Sequence, residues 1–205
     1  MAKDNDNIDT SYVDDTENTE EQKPSAWLLW MRLWLTPKEG WRLIKKSKLR
    51  PEAFASSCFY PILALTAIAS FTQLLFNVDA NISDILKEAT IIFISFFMSY
   101  FAYFPIARLF MNKESFKRFD SDFGKCYVMM LLSTLAVFYL LYECLPFLEV
   151  IIAFMPVYTF FLAYQGMDSL RIAKEKSSTV WVMAAILIVL LPTAIYHIFK
   201  LIMPF

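Results

Sequence analysis

The chain has 205 residues, a formal net charge of −1, and 58% hydrophobic and 17% aromatic residues. That apolar share exceeds the usual half of soluble domains and is membrane-protein chemistry; with only three glycines, glycine-rich phosphate loops and dinucleotide fingerprints are excluded. Cys58, Cys126 and Cys144 show no CxxC or Cys/His spacing, and His197 is the only histidine, so neither a zinc or redox site nor a His-based metal cluster is expected.

Residues 1–22 carry eight acids against one lysine and no hydrophobic period, the composition of a disordered tail. We read residues 1–25 as an acidic cytoplasmic tail. It lacks the positive start and apolar run of a cleavable signal, so the first hydrophobic span is expected to direct insertion.

Residues 26–50 hold four of the five tryptophans and seven of the nineteen Lys and Arg residues. "AWLLWMRLWL" is too short to cross a bilayer and contains Arg32, so it lies at the lipid–water boundary or is buried by protein. Trp27, Trp30 and Trp34 share a helical face. "TPKE" then predicts a capping box, with Thr36 at the cap, Pro37 opening a second helix and Glu39 completing the box. On that helix Trp41 and Ile44 share one face, while Arg42, Lys45, Lys46 and Lys48 suit anionic headgroups. This basic-aromatic segment is either a foot that orients the bundle or a surface that also binds a partner, and Pro51 redirects the chain into the first span.

Five apolar stretches approach the length needed to cross a hydrocarbon layer: residues 53–76, 89–111, 124–142, 147–167 and 180–203. Arg108 and Lys200 lie near span ends, where long side chains snorkel. "ECLPFLE" joins the third and fourth as a tight antiparallel connection. Lys and Arg divide seventeen to two between alternate sides of this threading, which predicts a cytoplasmic N-terminus and an outer C-terminus.

Few residues within the spans suggest chemistry. His197 is either an interfacial imidazole or a proton-responsive group. Glu143 and Glu149 are either solvated charges or an acid–base or cation-binding pair. Asp120 and Asp122 in "FDSDF" are read as caps of the third span rather than metal ligands. Pro61, Pro105, Pro156 and Pro192 are expected to set helix shape. Thr66, Ser70, Gln73, Ser95, Ser99, Ser133 and Thr134 are expected to bridge helices. The stripe Phe93, Phe97, Tyr100 and Phe104 is read as packing, with a lipid groove as the alternative. Cys126 and Cys144, about 27 Å apart along one helix, cannot pair within it.

The order of "TPKEGW", "RFDSDFGKCY" leading into the third span and "AYQGM" closing the fourth resembles the Yip (Ypt/Rab-interacting protein) domain family, particularly its bacterial branch, over roughly residues 36–203. Pro37 and Trp41 match its opening motif, Phe119, Asp122 and Phe123 the lead into the third span, and Tyr164 and Gly166 the close of the fourth. The acidic-tyrosine-glycine-proline motif of eukaryotic members and the third-span proline of many bacterial ones are absent, so Rab binding is not carried over. The resemblance implies a bacterial inner membrane and a role in membrane organisation.

The expectation is therefore an all-α polytopic bundle of five transmembrane helices with a short interfacial amphipathic segment, and no catalytic, cofactor or metal site. It would act as a scaffold whose partners are the bilayer, anionic headgroups, a membrane or cytoplasmic protein or a second copy, and not nucleic acid. A small transporter or channel component is the alternative.

Overall fold

The computed structural model describes residues 25–76, 81–148, 150, 152, 154–170, 172 and 174–203, without the side chains of 146 and 174–177. Apart from Ser25, the acidic tail lies outside the described residues, as does Glu149. Among the described residues there is no strand. The helices are α1 (Ala26–Leu35), α2 (Pro37–Ser47), α3 (Pro51–Phe76), α4 (Ile82–Phe110), α5 (Lys113–Phe119), α6 (Asp122–Cys144), α7 (Met155–Leu170) and α8 (Lys174–Ile202).

Four helices are long and apolar enough to cross a membrane: α3, α4, α6 and residues Ser178–Ile202 of α8. Over its most apolar window α6 is 72% buried, against 22–39% for the other three. It is therefore the central helix. Its run from Cys126 to Tyr142 contains no charge, and a helix apolar all round belongs inside a bundle. The outer helices instead expose large apolar side chains, including Leu65, Ile68, Phe101, Ile186 and Leu190, a continuous preference for a non-aqueous surround. α7 has 16 residues and begins at Met155, eight residues after the start read from the sequence.

Pairings across the bundle give its helix directions. Tyr127 of α6 donates to the Ala163 carbonyl of α7, and farther along α6 Phe138 meets the earlier residue Tyr158, so α6 and α7 are antiparallel. Tyr196 of α8 donates to Glu88 of α4, near the last turns of one helix and the first turns of the other. A shared end thus gathers the C-terminus of α2 and α4, the whole of α5, the start of α6 and the close of α7.

Helix ends follow local chemistry, with two corrections. Thr36 does not form the expected capping box: its hydroxyl donates back to the Arg32 carbonyl at 3.2 Å and caps nothing. α6 is capped by Ser121, whose hydroxyl accepts from Gly124 N–H at 3.2 Å, rather than by Asp120 or Asp122. Asp122 occupies the first turn and favours the helix dipole there, while Asp120 pairs with Lys125 at 3.4 Å.

Prolines and hydroxyls act more locally than expected. Pro61 lacks the N–H that continues an α-helix, and the turn before it, Ala55–Phe59, widens to a π-helix closed by the Tyr60 N–H bond to Ala55. Pro105 and Pro192 lie inside helices, whereas Pro156 is the second residue of α7, where a proline costs no hydrogen bond. Thr66 bridges to the Ala136 carbonyl of α6 at 3.2 Å. Ser95, Ser99 and Ser133 each donate to a carbonyl four residues back on their own helix rather than to another helix among the described residues, and buried Ser70 has no hydrogen-bond partner among the described residues. The aromatic stripe of α4 packs on α3, Tyr100 lying 5.9 Å from Phe59 and Phe97 6.1 Å from Tyr60.

Candidate functional site

The N-terminal helices do not lie flat across a bundle end. Gly40 brings α2 against α1 so closely that a Cβ there would stand 2.6 Å from Leu33 Cα. The two helices form a hairpin docked along the bundle. At its apex Trp34 donates to the Thr134 hydroxyl at 3.2 Å and its carbonyl accepts from Tyr158 at 2.6 Å. Thr134 is about 18 Å along α6 from Asp122 at 1.5 Å per residue. The hairpin thus reaches the middle of the bundle's height.

This docking turns the tryptophans in different directions. Trp41 is fully buried and Trp30 nearly so, Trp34 is half-buried, and Trp27 is exposed. Trp27, Trp30 and Trp34 form a ladder with ring centroids 5.7 and 5.2 Å apart. Arg42, Lys46 and Lys48 are exposed, and Lys48 closes α2 in a left-handed conformation at φ 49°.

Four of the residues picked out by family resemblance, Trp41, Phe119, Phe123 and Gly166, gather about Tyr127, which the sequence reading quoted within "RFDSDFGKCY" but did not single out. Trp41 stacks 4.9 Å from Tyr127 and 6.1 Å from Phe123, and Phe119 lies 5.7 Å from Tyr127. Trp41 also donates to the Leu162 carbonyl at 2.9 Å. Gly166 faces both rings; a Cβ there would come within 2.5 Å of Tyr127 and 2.8 Å of Trp41. Pro37 opens α2, Asp122 is exposed, and Tyr164 stands apart, 5.5 Å edge-on to Trp181. Tyr127 closes the "RFDSDFGKCY" stretch, but sequence pattern alone did not mark it as the ring on which the others pack.

Beside this cluster opens a groove of about 730 Å³. Lys45, Lys117, Arg118, Ser115, Phe123 and Ile172 are among its walls, and Glu114 is the one acid among the described residues that line it. Lys45 sits 5.6 Å above the Phe123 ring and donates to the Ser169 carbonyl, in the last turn of α7, where a cation complements the helix dipole. Its shape and charge suit an anion with an apolar attachment.

The opposite end holds a second cavity of about 340 Å³ between α4, α6, α7 and α8. His197, Pro156 and Pro192 line it together with Tyr139, Tyr142 and Tyr196. Tyr196 donates to Glu88 and receives a bond from Lys200 at 3.3 Å; Tyr139 lies beside Glu143 and Tyr196; and Gln73 donates to Glu143 at 2.9 Å. Sequence reading singled out Glu143 and His197 but not Glu88, because nothing in the chain's order joins residues 108 positions apart.

Cys58 and Cys126 are buried free thiols and Cys144 is partly exposed. No group of three or more His, Cys, Asp or Glu side chains suited to a metal ion occurs among the described residues. Comparison of the chain with models of protein families, with curated proteins and with solved structures finds no match.

Proposed function

We propose that this chain is a non-enzymatic membrane protein of the Yip type, crossing a bacterial inner membrane five times with its N-terminus in the cytoplasm and its C-terminus outside. α7 serves as the remaining crossing: its 16 residues cover about 24 Å, and its direction opposite to α6 returns the chain to the basic end. The gathering of Phe119, Phe123 and Gly166 around the Trp41–Tyr127 pair supports the family reading, since each motif then has a packing reason.

Its role is to hold an anionic partner at the cytoplasmic face, and so to organise other components at the membrane. The observation that carries this is the groove where Lys45, Lys117 and Arg118 stand beside the apolar Phe123, Leu170 and Ile172. An anionic phospholipid, headgroup on the cations and chains along the apolar wall, fits that combination. Native mass spectrometry of the protein released from phosphatidylglycerol–phosphatidylcholine nanodiscs tests it. Phosphatidylglycerol should be retained preferentially, and the Lys117→Gln/Arg118→Gln double variant should retain several-fold less. Equal retention by both proteins would reject the groove as the site.

A further inference from the structure

The cavity at the other end of the bundle differs in chemistry from the basic groove and carries its own inference, independent of the anion-binding role. Its lining is almost wholly apolar, with Ile92, Leu135 and Val189 as a floor and the rings of Phe138, Tyr139 and Tyr196 as walls. Its volume, about 340 Å³, lies at the small end of ligand pockets. The Tyr196 hydroxyl donates to the Glu88 carboxylate, and the Glu143 carboxylate lies near Tyr139. A phenol that donates to a carboxylate gains electron density in its ring, and ring faces attract cations through their quadrupole.

Other occupants fit less well. A hard metal ion needs several oxygen ligands, and this lining offers scattered hydroxyls. An anion would meet two carboxylates. A neutral hydrocarbon would use the floor and ignore the polar wall. Outside the cavity, the exposed Lys200 already sets a cation beside Tyr196, donating to its hydroxyl at 3.3 Å with the ammonium 5.5 Å from the ring centroid. His197 and Tyr142 are further titratable groups in the lining.

We propose that this cavity binds a small organic cation, a tertiary or quaternary ammonium group whose apolar substituents rest on Ile92, Leu135 and Val189 and whose charge faces Tyr139 and Tyr196. The ammonium could come from a free solute or from a choline headgroup, and the two sources are separable.

The test uses the full chain in dodecyl maltoside micelles, which contain neither charge nor ammonium, with benzyltrimethylammonium and its uncharged carbon isostere neopentylbenzene as probes, followed by ligand-observed NMR titration. Saturable binding of the ammonium compound about tenfold tighter than the isostere is expected for a desolvated cation–aromatic contact. Glu143→Gln should weaken ammonium binding several-fold and leave the isostere unchanged. Lys200→Met removes the cation already set beside Tyr196 and should tighten it several-fold, an opposite shift that misfolding cannot produce. Added phosphatidylcholine competes if a headgroup is the natural ligand and is without effect if a solute is. Equal affinity for the two probes, absence of saturable ammonium binding, or insensitivity to both substitutions would overturn the proposal. Failure here leaves phosphatidylglycerol retention at the basic groove unaffected, so the two readings fail separately.

Discussion

The Trp41 indole donates across 2.9 Å to the carbonyl of Leu162, 121 residues away in the chain, and this bond ties the N-terminal hairpin to α7. Its donor and acceptor are both buried, so losing one leaves the other unpaired in an apolar setting. Trp41→Phe retains much of the ring packing and should lower stability by about 1–3 kcal/mol; Trp41→Ala, which also empties the site, should cost about 3–5 kcal/mol. Thermal unfolding in detergent measures both, and limited proteolysis between α2 and α3 should quicken in the same order.

Gly166 lets α7 lie directly against the Tyr127–Trp41 pair. A methyl group would press on ring atoms 2.5 and 2.8 Å away, rings held on both sides and unable to swing aside. Gly166→Ala should destabilise by about 1–3 kcal/mol, the usual cost of overpacking. Combining it with Tyr127→Leu should recover part of that loss in a double-mutant cycle, and strict additivity would show that the two positions do not touch.

Tyr103 is fully buried and its hydroxyl has no hydrogen-bond partner among the described residues. Removing an unpaired buried polar group relieves its desolvation cost, so Tyr103→Phe should stabilise the protein by about 1–2 kcal/mol. A lower melting temperature for this variant would mean that the hydroxyl is satisfied in the membrane by a group from elsewhere.

The hairpin apex makes a demand on its surroundings. Arg32, Lys38 and Glu39 are exposed there, beside a non-helical residue, Thr36, at about the level of Thr134. Exposed charge and an interrupted backbone are not tolerated in contact with hydrocarbon, so water or headgroups must reach this point from the basic side. In a cysteine-free background, Lys38→Cys should react with a membrane-impermeant maleimide in inside-out vesicles, while Leu33→Cys, fully buried, should not. Protection of position 38 in those vesicles would place the apex in lipid.

The sequence made much of this architecture legible because bilayer physics writes itself into composition. The uncharged run of α6, the break at Thr36–Pro37 and the pairing of Trp41 with Ile44 on one buried face all follow from local pattern. What pattern could not supply was the third dimension. The interfacial reading of Trp41 failed to distinguish a tryptophan that packs on lipid from one that packs on Tyr127, since both require an aromatic residue on an apolar face. Asp122 and Ser121 compete for the same cap, and the choice rests on a backbone turn rather than on residue type. Glu88 has no local pattern that joins it to Tyr196, 108 residues away in the chain.

The central claim is five crossings with the chain's two ends on opposite sides of the membrane. Fusing a reporter active only in the cytoplasm, and separately one active only outside, to each end of the full chain measures this directly. The N-terminal fusion should report cytoplasm and the C-terminal fusion the outside; both ends reporting one side would contradict the threading.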